Sequence, residues 1–201
     1  MLRSDVINCI IERYGFKSYL EIGTRQRADN FDLININEKV CIDPDPQALA
    51  DFVLTSDDWF ERHGDKTFDI IFIDGLHKSF QVERDIANSL KSLNRRGVVV
   101  LHDCNPTSYD MQIRDVDVIN EWTGDVWKAY VKYRKVSCFF TCVVDTDYGC
   151  GIIDTNKIVS KSRIDVSDDF DLIHYEQLEA ERVGLLNLVS INDFLRMYVI
   201  E

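Results

Sequence analysis

The segment Phe68-Asp69-Ile70-Ile71-Phe72-Ile73-Asp74-Gly75-Leu76-His77 passes from an unbroken apolar run into a turn carrying ionisable groups. Ile70 to Ile73 are apolar at every position and mostly β-branched, the pattern of a strand covered on both faces in a parallel sheet. In open α/β sheets, ligands bind outside the carboxyl ends of the strands. Asp74, Gly75 and His77 are therefore candidates for chemistry. The flanking segments matter according to whether they bring further polar groups to the same edge.

On the N-terminal side, Ser18 to Ile22 reads as a first strand ending at Gly23, where the missing Cβ lets a ligand approach the backbone. Lys39 to Ile42 is a second strand, stopped by Asp43-Pro44-Asp45-Pro46. A carboxylate just after a second parallel strand, about 20 residues past the first turn, suits the two hydroxyls of a ribose. Asp43 takes that role, with a helix cap or turn residue as the alternative. Phe52 to Leu54 makes a third short strand, and Thr55-Ser56-Asp57-Asp58 can cap a helix running toward His63.

On the C-terminal side, Val82, Ile86, Leu90 and Leu93 share one helix face, with Ser79 as cap and Gly97 as breaker. Val98 to Leu101 is a fifth buried strand running into His102-Asp103-Cys104-Asn105-Pro106. Cys138 to Val144 and Gly149 to Ile153 read as a hairpin through Asp145-Thr146-Asp147-Tyr148, its last strand antiparallel to the rest. Ser4 and Gly15 bound a first helix, and Ser190 with Asp193 opens a final one. Trp122, Trp127 and Tyr130 are either a substrate wall or core.

The expectation is an α/β fold: one domain, 1–201, with a Rossmann-like doubly wound sheet of about seven strands, mostly parallel with an antiparallel last strand. Right-handed crossovers put Gly23, Asp43, Asp74 and Asp103 on one rim. Residues 107–135 would form a substrate cap and 165–201 a C-terminal helical extension.

With 201 residues, 45% hydrophobic, the chain can bury a substantial single core. A net charge of −12 repels phosphate backbones, so nucleic acid is a poor partner. No apolar run reaches the roughly 20 residues of a membrane span, and no signal-peptide core opens the chain. A soluble, cytoplasmic protein is expected, with a homo-oligomer left open. The six cysteines form no C-x-x-C pair and read as buried small hydrophobes in a reducing compartment; a zinc site from Cys138, Cys142 and Cys150 is set aside.

Five parallel strands with a closing hairpin, Glu21-Ile22-Gly23 after the first and Asp43 after the second, resemble the class I S-adenosylmethionine-dependent methyltransferases over Ser18 to Ile153. The wording FIDGLH and GVVVLHDCNP is similar to the small sugar-biosynthesis-associated group. The resemblance implies that Glu21 and Gly23 line the methionine part of S-adenosyl-L-methionine, that Asp43 binds its ribose and that Ser56 and Asp57 lie near adenine, with Asp74 also at the cofactor. In place of two further loop glycines this chain has Thr24-Arg25-Gln26-Arg27-Ala28. Arg25 and Arg27 must therefore point away from a donor that is cationic at sulfur. The reacting end resembles catechol O-methyltransferase, which implies Mg²⁺ on Asp74 and Asp103 and His77 as base. Cys104 stands where another oxygen ligand belongs, so Asn105 or His102 must compensate.

Methyl transfer from a sulfonium has a good leaving group, so the protein must mainly align donor and acceptor and remove the acceptor's proton. A bound cation lowers a hydroxyl's pKa, and His77 titrates in the right range to take the proton. His102 is the rival base if no metal binds. Bland roles compete: Asp74 as a turn cap, His77 bonded to a backbone carbonyl, His102 as a core imidazole. Two further functions use the same residues. One is a non-catalytic partner-binding module, motivated by the missing loop glycines. The other is a nicotinamide-dependent oxidoreductase holding ribose through Asp43, though its G-x-G-x-x-G fingerprint is absent. The leading reading is an O-methyltransferase for a small hydroxylated acceptor, a sugar or glycosylated metabolite.

Overall fold

The computed structural model describes residues 1–114 and 121–199. Its sheet has eight strands: β1 (Ser18–Ile22), β2 (Glu38–Asp43), β3 (Phe52–Val53), β4 (Phe68–Ile73), β5 (Leu93–Leu101), β6 (Phe139–Val144), β7 (Cys150–Ile158) and β8 (Leu188–Val189). Their order is β3-β2-β1-β4-β5-β7-β6-β8. The pairs from β3 to β5 are parallel, whereas β7 runs antiparallel to both β5 and β6. The eighth strand, two residues parallel to the end of β6, is too short to leave a pattern in sequence.

Because both faces are covered, the strands alternate between two cores. Ile71, Ile73, Val99 and Leu101 face α2 (Ser56–His63), α3 (Ser79–Lys91), α4 (Val126–Val136) and α5 (Tyr175–Leu186). Ile70, Phe72, Val98 and Val100 face α1 (Arg3–Tyr14) and α6 (Ile191–Tyr198). The cysteines are all free, and Cys41, Cys104, Cys142 and Cys150 are buried in this packing, whereas Cys138 is exposed. Among the described residues no helix is long and apolar enough to cross a membrane.

Several local expectations change. Ser4 is not the cap of α1: the helix begins at Arg3, and Asp5 reaches back to accept from the Leu2 N–H at 2.8 Å. Ser79 is the first residue of α3, and its N–H and hydroxyl both donate to the buried Asp125 carboxylate, at 2.7 and 2.8 Å. A carboxylate distant in sequence thus caps this helix. Gly97 breaks no helix. It lies inside β5 where the register with β4 shifts, and a Cβ there would stand 2.7 Å from the Asp69 carbonyl, so the bulge needs glycine.

The segment 107–135 contains a 3-10 turn, Asp110–Gln112, and most of α4, whose Trp127 and Tyr130 are core residues. Residues 115–120 of the expected cap lie outside the described residues, as do 200 and 201 of the C-terminal extension. The described part of that extension supplies α5, β8 and α6, so it adds a strand as well as helices.

Candidate active site

The parallel ladder delivers the polar residues to one rim. The Gly23 N–H donates to the Ile42 carbonyl at 2.9 Å, Asp74 N–H to Ile22 at 2.8 Å and His102 N–H to Ile73 at 3.0 Å. Asp43, Gly23, Asp74 and His102 therefore stand side by side where their strands end. A cavity of about 800 Å³ follows this rim, from Asp43, Ser56 and Asp57 past Gly23 to Asp74, His77 and Asp103. That is within the usual size of a ligand pocket and large enough for a nucleoside with a small second molecule.

Gly23 has a different reason from the one its position suggests. At φ +84° its absent Cβ would collide with the carbonyl of Asp74, so glycine is required for two strand ends to pass each other. Of the two cations in the loop that follows, Arg27 stays off the cavity, whereas Arg25 lines its solvent side and does not turn fully away. Arg25 pairs with Asp29 at 2.6 Å in solvent, and Arg27 pairs with Asp51 at 2.9 Å over the Phe31 ring. Asp43 accepts from the N–H groups of Arg25 and Asp45, each at 2.8 Å, which fixes its carboxylate at the mouth of this loop. Ser56 and Asp57 are held by the Gln81 amide, at 3.1 and 3.2 Å.

Glu21 is buried beneath the middle of the cavity. Its Oε2 accepts from Tyr19 Oη at 2.5 Å and from Asn30 Nδ2 at 2.6 Å. Burial nevertheless pushes its carboxyl up to about 7, because these two donors and Arg3 only partly offset the loss of water and the nearby Asp74.

At the other end, three bases and three carboxylates interlock. His77 Nε2 is 3.2 Å from Asp74 Oδ1, and its Nδ1 is 3.2 Å from Asp103 Oδ2 but misaligned for a hydrogen bond. His102 Nδ1 sits between the same two carboxylates, 3.4 Å from Asp74 and 3.3 Å from Asp103. The remaining pair comes from outside the strand ends: Arg3 from the start of α1, and Asp147 from the β6–β7 turn. Arg3 Nη1 lies 3.3 Å from Asp147 Oδ2, and Arg3 Nε lies 3.8 Å from Asp74 Oδ2.

Burial works against both imidazolium ions, yet the carboxylates prevail. Asp74, followed by contacts with Asp103 and Asp147, holds the proton on His102 well above the ordinary range. A hydrogen bond to Asp74 and the charge of Asp103 raise His77. Asp74 is correspondingly lowered, burial being overcome chiefly by His102, and Asp147 falls to about 2 through His102 and the Arg3 backbone N–H despite its own burial.

His77 is positioned by what packs on it. Trp122 stacks on its ring at 5.1 Å and 24°, and the Asp125 N–H donates to its carbonyl at 3.1 Å. Of the three aromatics singled out in sequence, Trp122 alone lines the cavity. Cys104 is buried with its thiol turned to the His102 carbonyl, 3.6 Å away. Asn105 does not compensate for it: its amide bonds Asp145 at 3.0 Å and Arg182 at 2.5 Å, so it is committed elsewhere. His102 is the group that joins Asp74 and Asp103. One ligand atom from each of the three lies within 4.8 Å of the others, a spacing compatible with one shared cation.

Residues 20–104, which include all the rim residues from Glu21 to Asp103, match the family model for a methyltransferase domain. Solved structures share the fold, and three of them illustrate it. One is a Staphylococcus aureus protein described as a caffeoyl-CoA O-methyltransferase, 18% identical, covering 75% of this chain and 81% of its own, with a TM-score of 0.56. Another is the Bacillus cereus O-methyltransferase in complex with SAH, 14% identical over 79% of this chain and 80% of its own, TM-score 0.53. The third is the Streptomyces achromogenes O-methyltransferase TomG, involved in tomaymycin synthesis and solved with SAM, 14% identical over 77% and 79%, TM-score 0.51. This is the class I methyltransferase fold. No curated protein matches the chain.

Within the methyltransferase fold, the residues named from sequence at the strand ends all reach one cavity. Sequence did not single out Arg3, Asp147 and Asp125, nor Tyr19, Asn30 and Gln81, which hold Glu21, Ser56 and Asp57. The first two enter from elements on the far side of the β5 end, and Asp125 organises the loop beneath His77. An acidic turn residue followed by Tyr148 and Gly149 was the one visible trace of Asp147.

Proposed function

We propose that the chain is an S-adenosylmethionine-dependent O-methyltransferase acting on a small hydroxylated acceptor, a sugar or glycosylated metabolite, in the cytoplasm. The observation that carries this is the single cavity joining the Asp43–Ser56–Asp57 end to the Asp74–His77–Asp103 end. Asp43 takes the cofactor's ribose, Ser56 and Asp57 flank its base, and Glu21 with Asp74 supplies negative charge beside the methionine part and sulfonium. The acceptor enters between Trp122 and Tyr148, and its hydroxyl meets His77 with the donor methyl already aligned.

Asp74 and Asp103 fit a divalent cation, Mg²⁺ by resemblance, with His102 Nδ1 in reach of the same point. Such a cation supplies charge that makes the acceptor hydroxyl more acidic. His77 in its neutral form accepts the proton, and Asp74 and Asp103 stabilise the imidazolium that results.

The test is transfer of a labelled methyl group from S-adenosylmethionine to a panel of hydroxylated sugars and glycosides. Transfer should require His77 and Asp103, and Asp103→Asn or chelation should abolish it with little change in affinity for S-adenosylhomocysteine. Full turnover in excess chelator would remove the cation from the scheme. Absence of any cofactor binding at millimolar concentration would make the protein a non-catalytic module on the same fold.

A further inference from the structure

The donor set at the reacting end is mixed. Two carboxylates alone would suit Mg²⁺, which takes oxygen ligands and keeps several waters. Here an imidazole nitrogen stands equidistant from both, with His102 Nδ1 3.4 Å from Asp74 and 3.3 Å from Asp103. His102 is 6% exposed, so water cannot readily replace it. Asn105 and Cys104, the nearest chain neighbours able to ligate, are turned away.

The ring's direction is set from behind. His102 Nε2 faces Asp147 Oδ1 at 3.5 Å and Arg3 Nη1 at 3.2 Å. Asp147 is itself anchored: the Arg3 backbone N–H, at the first residue of α1, donates to its Oδ2 at 2.8 Å, and the Arg3 guanidinium lies 3.3 Å from the same oxygen. The turn that presents it holds two successive non-glycine residues in the left-handed region, Asp147 at φ 46° and Tyr148 at φ 58°. They are the central pair of the hairpin turn that the Gly149 N–H closes on the Thr146 carbonyl at 2.8 Å, as a type I′ turn requires. Asp147 lies on the Nε2 side, where a carboxylate can hold that ring proton, so Nδ1 becomes a ligand once a cation displaces its own proton; Arg3, a donor only, acts through Asp147.

We propose that this site takes a first-row transition cation such as Fe²⁺, Co²⁺ or Zn²⁺ in preference to Mg²⁺, with His102 Nδ1 as third donor beside Asp74 and Asp103, and with Asp147 and Arg3 as positioning residues. Imidazole favours these borderline ions, whereas it adds little for Mg²⁺. The inference rests on the cation in the proposed reaction but concerns which ion the chain selects.

Calorimetry with Co²⁺ and with Mg²⁺, on the full chain without cofactor, tests it alongside the visible absorption of bound Co²⁺. Co²⁺ should bind at least about tenfold more tightly than Mg²⁺. His102→Gln should erase that difference by weakening Co²⁺ alone and altering its visible bands. Asp147→Asn, which preserves shape, should weaken Co²⁺ about 10- to 100-fold. An unchanged thermal midpoint and S-adenosylhomocysteine affinity would show that each variant is folded. If Mg²⁺ binds as tightly as Co²⁺ and Asp103→Asn abolishes both, the inference fails while the cation role stands. If neither ion binds the wild-type chain at millimolar concentration, both fail.

Discussion

Lowering the pH from about 8 to about 6 should weaken binding of S-adenosylmethionine relative to S-adenosylhomocysteine about tenfold, and Glu21→Gln should abolish that dependence. Glu21 is buried beneath the cavity with its carboxyl pushed up to about 7, so it passes from mostly ionised to mostly protonated over this range. A sulfonium is a cation and the thioether product is not, so only the donor gains from the ionised form. With a midpoint of about 7, the ionised fraction falls from roughly ten-elevenths to one-eleventh, a loss of about 1.4 kcal/mol. The ratio of the two affinities is the quantity to follow, because titrations common to both ligands, such as that of their amino groups, cancel in it. Calorimetry at several pH values with each ligand supplies it. A ratio that stays flat, or one that still bends in Glu21→Gln, would refute the placement of Glu21 beside the sulfonium.

Asp85 offers a stability measurement away from the reacting groups. It is buried in α3 with Oδ2 unpartnered, and burial raises it from 3.8 to about 6. The folded state therefore binds more protons than the unfolded one between these values, and stability falls as pH rises through that window. Asp85→Asn should stabilise the protein by about 2 kcal/mol more at pH 7.5 than at pH 4.5, seen as a midpoint gain larger by about 5 °C; equal gains at both would contradict it. Gly124→Ala places a Cβ against the His77 carbonyl at a φ of +58°. It should lower turnover at least about tenfold with product affinity unchanged, since small displacements of a reacting group are costly. Undiminished turnover would show that His77 is not held from that side.

The central strands were legible because burial on both faces leaves apolar runs without alternation, and Ile70 to Ile73 and Val98 to Leu101 have no other good use. Asp43, Asp74 and Asp103 followed from them, since the residue after a parallel strand must lie on the common rim. What sequence hid depends on neighbours in space. Gly97 looks like a helix stop until β4 lies beside it and the bulge appears. Ser79 looks like a cap until Asp125 arrives to accept from it. Arg3 reads as an ordinary charge at the start of an amphipathic helix. Only the docking of α1 across β7 turns it toward Asp147 and Asp74.

Asp154 ties the two ends of the molecule to its middle. Fully buried in β7, it accepts from Tyr14 at the last residue of α1, at 2.7 Å, and from Tyr198 at the last residue of α6, at 2.9 Å. One carboxylate thus pins both outer helices, and α1 is a rigid rod whose opposite tip carries Arg3. The last turns of the first and final helices thus share one buried anchor, so the guanidinium that reaches the cavity stands on a helix moored at its opposite end beneath β7.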